Sequence, residues 1–143
     1  MECELPRVNS NEEEMISYFK ETQIIAVIGV SPNPEKASHK VAKYLKEVGY
    51  TMIPLYPKEE EILGEKVYRS LAEIKSAIDM VVIFRKPDAL GAIADEVIKR
   101  GDIKIYWTQL GLVNNNAAQK VKDAGIHVVQ NYCAMVEHKA LIK

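Results

Sequence analysis

The sequence has little of several features that mark specialised classes of protein. It contains only two cysteines, Cys3 and Cys133, in 143 residues, too few for the spaced frameworks of disulfide-rich secreted domains or zinc sites. No apolar run approaches the roughly 20 residues that a membrane-spanning helix requires, and the acidic N-terminal segment lacks the apolar stretch of a secretory signal. These absences predict a cytoplasmic protein, and we expect the segment around Cys3 to be mobile.

The chain also lacks an excess of charge of either sign. Lys and Arg number 19 against 20 Asp and Glu, for a formal net charge of −1, and the basic residues are spread along the chain. Without a basic tail or stripe, neither nucleic acid nor a membrane surface is expected as a partner. The composition, 48% hydrophobic and 27% charged, is that of an ordinary globular protein. The length predicts one domain over residues 1–143, with an N-terminal extension and helix over residues 1–22.

Strand and helix patterns alternate along this chain. Buried β-branched runs predict strands at 24–30, 51–56, 79–84, 103–109 and 126–131. Helical spacing predicts helices that begin near Ser10, Ser38, Ser70, Pro87 and Ala117. The first has a capping-box pattern at Ser10 and Glu13 and is expected to cover a sheet edge, whereas the charged run 58–62 is expected to be a solvated turn. The alternation predicts an α/β, Rossmann-like, three-layer domain with a mostly parallel, doubly wound sheet.

Ligands bind beyond the carboxyl ends of the strands in such sheets. After the first strand comes VIGVSPNPEKAS, starting at Val27. A phosphate could rest there on the amino end of a helix, with Gly29 allowing close approach and Ser31, Lys36 or Ser38 adding a hydroxyl or a charge. An ordinary capped turn fits these residues equally well. The dinucleotide fingerprint is missing, because its second and third glycines would fall at Ser31 and Pro34, and this weakens the case for NAD and FAD.

The second strand ends in Tyr56, Pro57 and Lys58 instead of the acidic residue that would bind the ribose of NAD. A lysine suits an extra phosphate on the ribose, and the tyrosine and proline could form a wall beside an adenine ring. This end therefore favours NADP or coenzyme A, although Lys58 alone also fits a solvated surface charge.

The third strand ends in Phe84, Arg85, Lys86 and Pro87, which places two cations just before a helix. Positive charge is unfavourable beside the amino end of a helix. We therefore expect an anion nearby, or a partner carboxylate such as Asp88.

The fourth strand end carries Trp107, Gln109 and Gly111. The glutamine could hydrogen-bond an amide of a ligand, and the glycine gives the loop freedom. The tryptophan fits a core position better than a ligand platform.

Together these segments resemble the CoA-binding domain that occurs alone in small bacterial and archaeal proteins and at the N-terminus of the succinyl-CoA synthetase α subunit. The resemblance covers nearly the whole chain. It is carried, in the family's order and spacing, by VIGVSPNPEKASHKVAKYL, IPLYPK, VVIFRKP, YWTQLGLVN and NYCAMVEH.

The resemblance implies that coenzyme A is the ligand and that the Gly29 loop with the following helix holds its pyrophosphate. It further implies that the end of the second strand lies near the adenosine 3′-phosphate and that Arg85, Lys86 and Pro87 line the path of the pantetheine. Lys36 stands where many relatives have arginine, which keeps the charge but not the bidentate geometry. The full set of expected binding residues is Gly29, Val30, Ser31, Pro32, Lys36, Ser38, Tyr56, Pro57, Lys58, Phe84, Arg85, Lys86, Pro87, Gln109 and Gly111.

The same resemblance argues against a complete ligase, because the synthetase subunit carries its phosphorylated histidine in a second domain that this sequence is expected to lack. Of the three histidines, His39, His127 and His138, none has a recognisable catalytic setting, and His39 is expected at the surface. Cys133 is the one candidate nucleophile, activated by His138, but a buried small hydrophobe is the favoured interpretation. No catalytic or metal-binding residue is assigned.

Three hypotheses follow. The chain binds CoA or acyl-CoA without turnover, or it is a non-catalytic subunit or accessory of an acyl-CoA ligase or transferase, or it is an NADP-binding or structural Rossmann domain. A homo-oligomer or a ligase-like protein partner is compatible with the first two hypotheses.

Overall fold

The computed structural model describes residues 5–143, so Cys3 and the mobility predicted for its segment lie outside the described residues. The strands are β1 (Ile24–Ile28), β2 (Thr51–Leu55), β3 (Glu61–Ile62), β4 (Glu65–Lys66), β5 (Met80–Ile83), β6 (Ile105–Thr108) and β7 (His127–Val129). The helices are α1 (Glu12–Glu21), α2 (Ala37–Glu47), α3 (Leu90–Arg100), α4 (Asn115–Asp123) and α5 (Ala134–Leu141). Five strands form a parallel sheet in the order β2-β1-β5-β6-β7.

Alternate residues of each central strand face opposite layers of helix. One face carries Ala26, Ile28, Val81, Ile83, Tyr106 and Val128, which pack with apolar residues of α3 and α4. The other carries Ile25, Val27, Met80, Val82, Ile105, Trp107 and Val129, which pack with α1, α2 and α5. The sheet is therefore buried on both sides, as continuous apolar strands require, and the predicted three-layer Rossmann-like fold is confirmed. Within the described residues, no helix combines the length and the apolar character that a membrane span needs.

Pro54 is accommodated because β2 lies at an edge of the sheet. Its carbonyl accepts a hydrogen bond from the backbone N–H of Tyr68, at 3.0 Å, on the side away from β1. The N–H and the carbonyl of one strand residue point the same way, so the bond that proline cannot make would also have faced the outer edge.

The N-terminal segment differs from its prediction. The capping box of α1 is formed by Asn11 and Glu14, one residue later than predicted, because the Ser10 hydroxyl donates instead to the carbonyl of Val128 at 2.7 Å. The side chain of Asn9 likewise bonds both the N–H and the carbonyl of Gln130. These two side chains lie along the outer edge of β7. Helix α1 packs against the face of the sheet beside this edge strand, where Tyr18 stacks on the ring of His127.

Three further elements differ from the predictions. The segment expected to form a helix from Ser70 forms only a 3-10 turn at Leu71–Glu73. Its carbonyls at Leu71, Ile74 and Ser76 accept hydrogen bonds from the Arg100 guanidinium, which replaces helical amides as their partner. The charged run expected to be a solvated turn contributes to the two-stranded β3-β4 hairpin, and α5 was not predicted at all.

Candidate ligand-binding site

The order of the strands reverses at β1. The chain pairs β1 with β2 on one side and then returns to place β5 on the other side. In open parallel sheets such a reversal leaves a crevice beyond the carboxyl ends of the two central strands, and ligands bind there. The loop that starts at Gly29 and the loop that starts at Phe84 follow β1 and β5 at this point.

Gly29 and Val30 start the first of these loops. Their N–H groups donate to the carbonyl of Leu55, at 2.8 and 3.1 Å, which ties the end of β1 to the end of β2. The φ angle of Gly29 is +95°, a backbone conformation that glycine adopts without steric cost. Val30 is fully buried, so its side chain anchors the loop and does not line either side of the crevice.

Hydrogen bonds within the loop fix its shape before any ligand is considered. The N–H of Ser31 donates to the hydroxyl of Ser38 at 3.0 Å, and the N–H of Asn33 donates to the hydroxyl of Ser31 at 3.1 Å. Nδ1 of His39 donates to the carbonyl of Ser31 at 2.8 Å. His39 is only 9% exposed, so the expectation of a surface histidine was wrong, because the ring is needed inside to hold this loop. Pro32 lies exposed on the same loop.

The amino end of α2 has no capping side chain. Lys36 is the N-cap residue, its side chain makes no capping hydrogen bond, and the first turn holds no acidic residue. Asn11 caps α1 and Asn114 caps α4, whereas α3 and α5, like α2, have no side-chain cap among the described residues. The first-turn N–H groups of α2 and the positive end of its dipole are therefore available to an anion.

Five basic side chains lie near the carboxyl ends of the strands: Lys36, Lys58, Arg69, Arg85 and Lys86. Among residues 5–143 none of these five takes part in an ion pair. Asp88, the partner carboxylate considered from the sequence, therefore does not neutralise Arg85 or Lys86. Asp88 lies beside Arg85 and Lys86 in the lining of one surface cavity, and the anionic ligand expected near these cations stays a prediction.

A cavity of about 260 Å³ lies between the ends of β1 and β2 and helix α3, and we call it the arginine cavity. Its lining includes Gly29, Tyr56, Pro57, Arg69, Arg85 and Glu96. Nη1 of Arg69 donates to the carbonyls of Tyr56 and Lys58, both at 3.0 Å. These bonds orient the guanidinium at the cavity and leave its other donors for a ligand.

A larger cavity of about 570 Å³ lies on the α2 side of the same loops, and we call it the apolar cavity. Its lining is Ala37, Val41, Phe84, Arg85, Lys86, Pro87, Gln109, Leu110, Leu112 and Cys133. Gln109 is 4% exposed, and its Nε2 is without a hydrogen-bond partner in the described part of the chain. Arg85 lines both cavities.

Eight of the fifteen predicted residues line one or both of the two cavities: Gly29, Tyr56, Pro57, Phe84, Arg85, Lys86, Pro87 and Gln109. Val30, Ser31, Pro32, Lys36 and Ser38 lie in the loop after β1 and at the start of α2 and line neither cavity. The side chain of Lys58 lines neither cavity, and its carbonyl serves instead to hold Arg69. Gly111 also lines neither cavity, and its N–H donates to Oδ1 of Asn131 at 2.6 Å. Trp107 is fully buried and its indole N–H donates to the carbonyl of Tyr132, as its prediction as a core residue requires.

The thiol activation considered for Cys133 was wrong. His138 makes a 2.7 Å hydrogen bond through Nδ1 to the hydroxyl of Tyr44, and it lines a different cavity with Gln23 and Thr51 at the amino ends of β1 and β2. Burial lowers the pKa of His138. Cys133 is half-buried at the opposite end of the sheet, beside the apolar cavity, so it is also more accessible than the buried hydrophobe expected.

Sequence reasoning did not find Arg69 or Glu96. Arg69 follows Tyr68, which forms an isolated bridge with Leu55 and so returns the chain to the end of β2. The 12 residues after β2 carry no periodic pattern that would reveal this return, and Glu96 reads in the sequence as an ordinary solvent-facing residue of a helix.

Several known proteins are similar to this chain in sequence. An uncharacterized protein of Bacillus subtilis, YneT, is 37% identical over 130 residues, which are 91% of this chain and 96% of that protein. The α subunit of an ADP-forming acetate–CoA ligase of Pyrococcus furiosus is 41% identical over 70 residues, which are 48% of this chain but only 15% of that protein.

Solved structures show the same fold. A hypothetical protein from Pyrococcus horikoshii OT3 superposes with a TM-score of 0.91 at 36% identity over 100% of both chains. A protein from Thermus thermophilus superposes with a TM-score of 0.88 at 36% identity, over 93% of this chain and 100% of that one.

A family profile described as the CoA binding domain matches residues 23–139. That span contains all five strands of the parallel sheet, both loops of the crevice and the linings of both cavities. The chain therefore belongs to the CoA-binding domain family.

Proposed function

We propose that this chain binds coenzyme A or an acyl-CoA across the carboxyl edge of its sheet and carries out no turnover of its own. The observation that carries the proposal is the division of the crevice at Arg85 into a small cavity with two arginines and a larger apolar one. Coenzyme A has the same division, because a phosphorylated nucleotide forms one end and a neutral pantetheine with a thiol forms the other.

The anionic half of the ligand would lie at the Gly29 loop and the arginine cavity. The uncapped amino end of α2, with Lys36 at its N-cap, suits the diphosphate. Tyr56 and Pro57 offer flat apolar surface for the adenine ring, and Arg69 and Arg85 offer guanidinium donors for the 3′-phosphate. Glu96 could accept hydrogen bonds from a ribose hydroxyl or the adenine amino group.

The neutral half would follow the apolar cavity. Phe84 and Pro87 supply apolar wall, and Gln109 supplies an amide that still lacks a partner. A pantetheine arm carries amides and methylene groups in alternation, so a mostly apolar channel with few polar groups suits it. The residues of the crevice therefore match the chemistry of coenzyme A, with basic side chains for its phosphates and mostly apolar side chains for its pantetheine.

The absence of turnover rests on the separation of Cys133 from His138. The one pair considered for covalent chemistry is divided between opposite ends of the sheet. In the part of the chain that the structure describes, no histidine lines the apolar cavity with Cys133, so the general base considered for this thiol is not beside it.

The test is a calorimetric titration with CoA, ADP and NADP. We expect CoA to bind more tightly than either competitor, and Arg69→Met, Arg85→Ala and Lys36→Ala to weaken CoA about tenfold each, the usual effect of losing a hydrogen bond to a charged group. Lys43→Ala is the matched control, because Lys43 is an exposed residue of α2 paired with Glu47, and it should leave the affinity unchanged. Equal binding of CoA and ADP, with no effect of the arginine substitutions, would refute the proposal, and preferential binding of NADP would favour a dinucleotide site.

The likeness to an acetate–CoA ligase subunit supports a second candidate, an accessory role beside a ligase-like protein. Leu110 is 70% exposed at the rim of the apolar cavity, where a partner could cover it. Co-purification of a ligase-like chain with the tagged protein, lost in Leu110→Ser, would support this role. Isolation of the tagged protein alone would count against it.

A further inference from the structure

The side-chain amide of Gln109 has no partner in the fold that surrounds it. The residue is 4% exposed, and within residues 5–143 its Nε2 makes no hydrogen bond. A buried donor without an acceptor is unfavourable, and native proteins rarely keep one without a use.

The neighbouring groups of the same loop are already engaged. The backbone N–H of Gln109 donates to the carbonyl of Ile83, and the N–H of Leu112 donates to the carbonyl of Gln109. The hydroxyl of Thr108 donates to the carbonyl of Leu112 at 2.6 Å. The loop is thus held by its backbone, and the side-chain amide remains an unpaired donor among the described residues, buried beside the apolar cavity that Gln109 lines.

The side chains that line this cavity with Gln109 indicate the kind of acceptor. Val41, Phe84 and Leu112 offer apolar surface. Arg85 and Lys86 also line the cavity and are exposed residues, so solvent can reach their charges. A neutral carbonyl that bears a short hydrocarbon group satisfies both the amide and the apolar wall.

We propose that the apolar cavity binds the acyl end of a short-chain acyl-CoA, with Nε2 of Gln109 donating a hydrogen bond to the thioester carbonyl. This inference rests on the proposed function and deepens it, because it names the acyl thioester, and not free CoA, as the preferred ligand. Free CoA ends in a thiol, which offers Gln109 only a weak acceptor at that position.

The experiment compares CoA, acetyl-CoA, butyryl-CoA and S-ethyl-CoA by calorimetry. S-ethyl-CoA is a thioether of nearly the same size as acetyl-CoA but without the carbonyl, so it tests the hydrogen bond on the unaltered protein. We expect acetyl-CoA and butyryl-CoA to bind about five- to tenfold more tightly than CoA, and S-ethyl-CoA to lose most of the advantage of acetyl-CoA, as one buried hydrogen bond predicts.

Two variants test the residue. Gln109→Met keeps the length of the side chain and removes the donor, and Gln109→Glu keeps the shape and replaces the donor with an acceptor. Each should bring the ratio of acetyl-CoA to CoA affinity near one, because the affinity for acetyl-CoA falls by more than the affinity for CoA. Gln119→Met is the matched control, because Gln119 is exposed on α4 and bonds only to Asp123, and it should keep the full ratio.

The outcomes separate this inference from the proposed function. If no CoA compound binds, the proposed function itself fails. If CoA binds but acetyl-CoA and S-ethyl-CoA bind equally well, or if Gln109→Met weakens all four compounds alike, the thioester assignment is overturned and Gln109 serves the pantetheine instead.

Discussion

Gly29 passes so close to Phe84 that a β-carbon on residue 29 would lie 2.4 Å from the Phe84 carbonyl oxygen and 3.4 Å from Cδ of Arg85. The loops after β1 and β5 are therefore in van der Waals contact at their first residues. Any side chain at position 29 would push apart the backbone that carries Arg85.

We expect Gly29→Ala to lower the free energy of unfolding by about 2–4 kcal/mol, because a left-handed φ angle and a contact with rigid backbone add together. CoA affinity should fall as well, since Arg85 would be displaced. Chemical denaturation and calorimetry measure the two effects. Gly91→Ala is the control: Gly91 lies in α3, a β-carbon there meets nothing within 4 Å, and the helix should gain about 0.5–1 kcal/mol. Equal stability of the two variants would contradict this account.

The position of Cys133 allows the thiol end of the ligand to be located. In a Cys3→Ser background Cys133 is the only thiol, and it is half-buried beside the apolar cavity. S-ethyl-CoA carries a thioether and so does not consume N-ethylmaleimide as the thiol of CoA would. At about ten times its dissociation constant it should slow alkylation of Cys133 by this reagent roughly tenfold, because only the free fraction of the protein reacts. ADP at the same occupancy should not protect the thiol. Protection by both ligands would mean that CoA does not place its pantetheine in this cavity.

Arg100 should be among the residues most important for stability. Its guanidinium donates to the carbonyls of Leu71, Ile74 and Ser76 and to the carboxylate of Asp102, and its side chain is only 14% exposed.

We expect Arg100→Lys to lower the free energy of unfolding by about 2–4 kcal/mol, because an ammonium group cannot span all of these acceptors and the part-buried carbonyl of Ile74 can lose its donor. Urea denaturation measures the change. The neighbouring exposed residue gives the control, and Lys99→Ala should stay within about 0.5 kcal/mol of the unaltered protein.

The buried His138 should make stability depend on pH in the mildly acidic range. Burial lowers its pKa below the ordinary 6.5, and the rings of Phe19, Tyr44 and Tyr50 surround it. At a pH between the lowered pKa of His138 in the folded chain and its ordinary pKa in the unfolded chain, the unfolded chain binds more protons. The contribution of neutral, buried His138 to the free energy of unfolding is therefore complete above about pH 6.5 and is lost as the pH falls below it.

Denaturation at a series of pH values from about 7.5 to about 5.5 should show this loss, and His138→Gln should remove it. His127→Gln, at an exposed position of β7, should retain it. A slope that survives in His138→Gln would assign the effect to another group.

Much of the fold could be predicted because its signals are local. Five β-branched runs gave five strands, and Pro87 with the apolar spacing that follows it gave α3. At Gly29 the expectation was the close approach of a phosphate, which stays a prediction, and the close neighbour in the structure is the backbone of Phe84. The strand and helix predictions depend only on residues that are near each other in the sequence.

The failures have long-range causes. The segment after Ser70 has helical spacing, yet Arg100, about 25 residues later, binds the carbonyls that a helix would have used. Arg69 joins the site only because Tyr68 bridges back to Leu55. Cys133 and His138 lie only five positions apart in the sequence, which made a contact between them plausible. However, α5 starts directly after Cys133, and about one and a half of its turns place His138 toward the other end of the sheet.

The two borders of the sheet limit how copies of this chain can associate. Along β2 the outward-facing carbonyl of Pro54 is taken by Tyr68 and proline offers no donor, while along β7 Ser10 and Asn9 occupy the carbonyls of Val128 and Gln130. Joining of two sheets into one continuous sheet would require these contacts to be broken first. Pairing of two copies through their edge strands, and fibrillar growth by strand addition, are therefore opposed at both β2 and β7. A dimer of this protein would have to use its helical faces or the rim of the apolar cavity.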